Sequence, residues 1–165
     1  TPMTEINTSL GARFYISNAS VLDTVDTNAE FAALTWVEVE PVESLGDFGD
    51  EASAVTFSSL KDGRVRKMKG ARDAGDLAVV VGHNPTQTGQ VQMITAEGTK
   101  FNYGFKVEIP DAPSGLYTNS IFYFRGKVMS KRMGVGGNGD VTKRTFNVGV
   151  DSQIYEALSA LIPSP

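Results

Sequence analysis

Residues 134–139 spell Gly-Val-Gly-Gly-Asn-Gly, a literal G-x-G-x-x-G. That spacing wraps a pyrophosphate when it follows a strand and opens a helix. Here the basic run Ser130-Lys131-Arg132-Met133 precedes it and the alternating run Val141–Val150 follows, so the glycines read as the tip of a hairpin. No glycine run ends in the Lys-Ser or Lys-Thr of a P-loop. His83 is the only histidine, and a triad or metal site would need nucleophiles or ligands at matching spacings; it reads as a residue satisfying local backbone at the end of a strand. Asp47, Asp50 and Glu51 form an acidic group without the ligand spacing of a calcium loop. Lys61, Arg64, Arg66, Lys67, Lys69 and Arg72 form a basic one. Basic clusters touch phosphate backbones, yet no aromatics interleave with these, and the chain carries −4 overall with a pI near 5.0. Pairing with an acidic protein surface fits better. There are no cysteines, which excludes disulfides and thiolate-held zinc. The expectation is a protein that is not an enzyme, with no catalytic residue, cofactor or metal.

The elements that carry these groups are mostly strands. Asn119–Asp151 reads as two long antiparallel strands around the glycine tip. Phe122, Phe124, Gly126 and Val128 share one face, and Tyr123, Arg125, Lys127 and Lys131 share the other. Arg144, Phe146, Val148 and Val150 answer the first set on the return strand. Phe101, Tyr103, Phe105, Val107 and Ile109 alternate with Asn102, Gly104, Lys106 and Glu108, a half-buried strand stopped by Pro110. Phe14 and Ile16 mark an early strand, Trp36–Glu40 another, and Leu77–Val81, apolar on both faces, an interior one. Asn28–Leu34 reads as two helical turns capped by Asn28. The principal helix is placed after Asn84 as N-cap and Pro85, with Gly98 as its exit and Gly89 weakening its middle.

At 165 residues the chain is expected to form a single domain, 1–165. Residues 1–10 read as an N-terminal arm. Residues 42–75 form a long excursion with two embedded strand-like runs, expected as a hairpin that needs a partner surface. Residues 152–165 form a C-terminal segment, with Ile154, Leu158 and Leu161 at helical spacing but an edge strand nearly as well supported. No apolar run approaches the ~20 residues of a membrane span. The expected fold class is mainly β: two packed antiparallel sheets, a sandwich or partly open barrel, with one flanking helix.

Several pieces in order resemble the tail tube proteins of long-tailed, non-contractile bacteriophages. They are Ala12–Ile16, Arg66–Leu77, a capped helix containing Gly89-Gln90, Phe105–Pro110, Phe124–Val128 and Arg144-Thr145. The likeness spans roughly residues 11–151. It implies a tail-tube-like fold and a structural virion protein, assembled in the host cytoplasm. Six copies would close into a ring, with rings stacked around a tape-measure protein, bounded by tail-end proteins, and DNA passing through the lumen without specific binding. On this reading the 42–75 excursion, with Asp47, Asp50, Glu51, Lys61, Arg64, Arg66 and Lys67, orders between rings. The face bearing Asn102, Lys106, Glu108, Tyr123, Arg125 and Lys127 covers the lumen or a neighbour, with Arg125 and Lys127 mostly paired to acids such as Glu108 or to a neighbour's carboxylates. The alternative is a free-standing β-sandwich binding module that grips a protein or ligand with residues 42–75.

Overall fold

The computed structural model describes residues 10–163; the expected N-terminal arm lies almost wholly outside them. In chain order the elements are β1 (Arg13–Ser20), α1 (Asn28–Ala32), β2 (Trp36–Val39), β3 (Val42–Leu45), β4 (Glu51–Ser58), β5 (Val65–Asp73), β6 (Asp76–Gly82), α2 (Thr88–Glu97), β7 (Tyr103–Ile109), β8 (Ser120–Gly134), β9 (Lys143–Val150) and β10 (Tyr155–Ala157). Mainly antiparallel β structure with a flanking helix is what the alternating pattern predicts, and it is what forms. The strands join an eight-stranded sheet and a separate two-stranded one, β4–β5.

The large sheet is organised by β8. Its first half, from Ser120 to Gly126, pairs with β7, while Gly126 to Gly134 pairs with β9. One half-sheet therefore runs β2-β1-β7-β8 and the other β8-β9-β6-β3, with β10 alongside the start of β8. The sheet ends, β2 and β3, are consecutive in sequence, so the chain itself bridges them at Glu40-Pro41, where the peptide is cis. The result is a partly open barrel. Phe14, Ile16, Phe105 and Val107 from one half meet Leu77, Val79, Phe146 and Val148 from the other in one buried cluster. Phe105 stacks between Phe14 and Phe124, with centroids 5.8 and 5.4 Å away.

Helix α2 lies over this core with Met93 and Ala96 inward. The sequence reading counted Gly89 only as a weak point. The structure shows its use: a Cβ there would run into the Glu38 carbonyl, so glycine alone lets the helix backbone lie against β2. The expected N-cap is corrected. Asn84 instead folds a local turn, its Oδ1 accepting from Thr86 N at 3.1 Å, and the helix starts at Thr88 with Gln87 as cap, accepting from Gln90 N at 2.7 Å. Similarly α1 is capped by Thr27, not Asn28. Gln90 is a buried polar residue that the sequence reading passed over. Its Nε2 donates to Glu40 O and Gly82 O, both at 2.8 Å, and its Oε1 accepts from Asn84 N. It ties the β2–β3 bridge to the end of β6.

Two further expectations change, and one left between two readings is decided. Phe101 lies before β7 and is 56% exposed. Residues 152–163 form the edge strand and not the helix of the two readings: β10 pairs with β8, and Leu161 bridges Tyr117. Lys131 does not share the face of Arg125 and Lys127, because a bulge between Val128 and Ser130 inserts one residue and reverses the alternation. Lys131 thereby stands opposite Phe146 and reaches Glu97 of α2 at 3.4 Å.

Candidate assembly surfaces

The 42–75 excursion divides in two. Val42–Leu45 becomes β3 of the main sheet, and Phe48 packs on Phe122 with ring centroids 5.4 Å apart. Only residues 51–73 leave the barrel, as the β4–β5 hairpin. Its register places Val55 opposite Met68 and Phe57 opposite Arg66 on one face. Thr56 opposite Lys67, Ala54 opposite Lys69 and Ala52 opposite Arg72 form the other. One side of the ribbon is mostly apolar and the other mostly basic, with Arg66 on the first and Val65, opposite Ser58, on the second. No residue of it is buried: Phe57 is 59% exposed and Met68 55%. Isolated two-stranded hairpins are marginal in water, and an apolar face of this kind is where a partner sits.

The residues expected to stack rings are spread along this excursion. Asp47 lines a cleft beside β3. Asp50 is at the root of the hairpin, accepting from Ile154 N at 3.1 Å and facing Arg72 at 3.8 Å. Glu51 opposite Asp73 begins the ladder. Arg66 pairs with Asp62 at 3.0 Å across the turn, and Asp62 also accepts from Arg64 N. These hydrogen bonds, that from Arg64 N foremost, hold the Asp62 carboxyl below its ordinary value. Lys61 and Lys67 stand exposed. Asp47, Asp50 and Glu51 form no metal cluster, and no group of three or more ligating side chains occurs among the described residues.

The face expected to carry Asn102, Lys106, Glu108, Arg125 and Lys127 also divides. Around Lys106 it is aromatic and covered. Lys106 Nζ sits 4.2 Å from the Tyr15 ring centroid and 5.3 Å from that of Trp36. Tyr123 stacks on Phe31 of α1 at 5.5 Å, with Tyr155 5.2 Å from Phe31. Burial lowers the Lys106 pKa and raises that of Tyr123; the Glu108 charge acts upward on both. The other part is polar. Asn102 Nδ2 donates to Asp23 at 3.0 Å and to Asp151 at 3.1 Å; Lys127 pairs with Asp151 at 3.1 Å and Arg125 with Asp23 at 3.5 Å. The partners of Arg125 and Lys127 are thus Asp23 and Asp151, not Glu108. The hydrogen bond from Lys127 leads in holding Asp151 below the usual carboxylate range. His83 is exposed, and its main-chain N–H, not its imidazole, donates to Thr142 O at 3.0 Å. The glycine tip closes a loop in which Gly137 N donates to Asp140 Oδ2 at 2.8 Å. Neither is a catalytic arrangement. No helix among the described residues is long and apolar enough to cross a membrane.

No protein-family model matches the chain, and no curated protein matches it. Solved structures do. A chain in the extended-state sheath/tube terminator of an extracellular contractile injection system, PVC, superposes with TM-score 0.69 at 9% identity, over 94% of this chain and 99% of that one. A chain in the six-fold symmetrised baseplate of the anti-feeding prophage gives 0.64 at 8% identity, over 94% and 98%. The SPP1 tail tube gives 0.57 at 9% identity, over 92% and 78%. The chain therefore has a fold found in phage tail tubes and in contractile injection systems.

Proposed function

We propose that this protein is a structural subunit of a tail-like tube, with six copies closing into a ring and rings stacking around a channel for the genome. The observation that carries the reading is the β4–β5 hairpin, an amphipathic ribbon that no surface among the described residues covers. The shared fold supports it, since that fold is found in a phage tail tube and in a six-fold symmetrised baseplate. Head-to-tail contacts between unlike patches close into rings when the rotation permits. In the proposed particle the subunit resides in the virion tail, with tape-measure and tail-end proteins as further partners. Local neutralisation of Arg125 and Lys127 by Asp23 and Asp151 suits a wall past which DNA slides, because each unpaired cation facing a phosphate strengthens salt-dependent binding.

A ring that ends a tube is the second reading, favoured by the near-complete mutual coverage with the terminator structure. Negative-stain microscopy and native mass spectrometry of purified protein separate the readings. Extended tubes support the tube subunit, discrete hexamers the terminal ring. A monomer at every concentration overturns both and favours a free-standing binding module.

A further inference from the structure

A second surface of the molecule is the counterpart of the hairpin. A cleft of about 610 Å³ opens where β3 and the segment after it pass β1 and β7. Its lining includes the apolar Leu45, Phe48, Val107 and Ile109 together with Glu43 and Asp47. Leu45, Phe48 and Ile109 are only partly buried. The hairpin leaves the chain just beyond this cleft, yet its apolar residues remain exposed, so it does not fill the cleft of its own copy.

We infer that the apolar face of β4–β5, Val55, Phe57 and Met68, seats in the β3–β7 cleft of a second copy of this chain, with the basic side of the ribbon toward the acidic body of that copy; Arg66 keeps Asp62 at 3.0 Å and Glu43 of the cleft keeps Lys143 at 2.8 Å. Charge points to a second copy as the occupant. Residues 51–73 hold Lys61, Arg64, Arg66, Lys67, Lys69 and Arg72 against Glu51, Asp62 and Asp73, a net +3. The whole chain is −4, so the remainder carries −7. The hairpin is a basic, apolar-faced ribbon on an acidic body, and complementary potentials favour the approach of unlike patches. A polyanion would instead meet the carboxylates of the cleft. Hairpin and cleft are different patches, so each copy both gives and receives, which propagates through a ring or a stack. This rests on the tube reading for its setting, not for its chemistry.

The chain has no cysteine, so two single substitutions make a clean test. Purified Ser44→Cys and affinity-tagged Met68→Cys proteins are mixed at assembling concentration, oxidised mildly and resolved without reductant. The expected result is a hetero-disulfide between tagged and untagged chains that exceeds either homodimer at least tenfold. Tubes or rings without that bond, or Met68→Cys homodimers predominating, overturn the docking and leave the tube reading standing. The hetero-disulfide without tubes or rings supports the docking and removes the tube reading; a monomer with no cross-link overturns both. As a second measurement, Phe57→Asp should raise the concentration needed for assembly at least tenfold with an unchanged melting temperature. Assembly at the wild-type concentration would overturn the docking.

Discussion

The barrel and the β4–β5 hairpin are built from the same secondary structure by opposite means. In the barrel each strand spends one face on a shared interior, so Phe14, Phe105, Phe124 and Phe146 are fully buried. In the hairpin the backbone ladder forms but no side chain is buried. A ladder satisfies main-chain donors and acceptors; it does not supply the apolar burial that dominates folding. Stability should therefore reside in the barrel and association in the hairpin.

The sharpest way to break that division is inside the core. Phe124→Ala should cost about 3–5 kcal/mol by removing a ring that stacks on Phe105, read by chemical denaturation. Next is Gly89→Val, expected to cost about 1–3 kcal/mol, because the added Cβ meets backbone that no rotamer change can move. Deleting residues 51–73 and joining Asp50 to Ala74 through two glycines should change stability by less than about 1 kcal/mol, as for other exposed positions, while abolishing sedimentable assembly. A melting temperature that collapsed on this deletion would erase the distinction between the two regions.

The smallest effect is electrostatic. Asp151 is held below its ordinary pKa by Lys127 and Asn102. Its contribution is thus fully present above the unfolded carboxylate value of about 3.9 and is lost as pH falls through the depressed folded value. Asp151 is half-exposed, so solvent screening keeps the pair under about 1 kcal/mol. Asp151→Asn should remove that much at pH 7 and progressively less as pH falls through the depressed folded value, measured by denaturation across that range.

The barrel was legible because burial of one face writes period 2 into β7, β8 and β9. Features that depend on long-range contact were not. Gly89 resembles a flaw until β2 is seen beneath it, and Gln90 resembles surface until Glu40 and Gly82 surround it. Asn84 is a good cap by composition, but its side chain is committed to a local turn. The bulge near Met129 has no sequence signature, so Lys131 was assigned to the wrong face. Of the assembly surfaces, the charge blocks of 42–75 were visible. What was hidden was that Val42–Leu45 belongs to the barrel; a cut from Gly46 to Lys61 would remove Phe48 from its packing on Phe122 and Phe124.

The shared strand β8 has a consequence for how the molecule yields. Because Gly126 is the residue at which β7 and β9 both find a partner, the two half-sheets have no seam along which one melts while the other persists. Loosening either end frays a strand the other half also requires, so the barrel is expected to open as one unit, without the sub-global steps seen in proteins whose parts are separable. In a long assembly, a load on a subunit would then be met by the whole barrel at once, with the docked hairpin as the joint that passes it to the next copy.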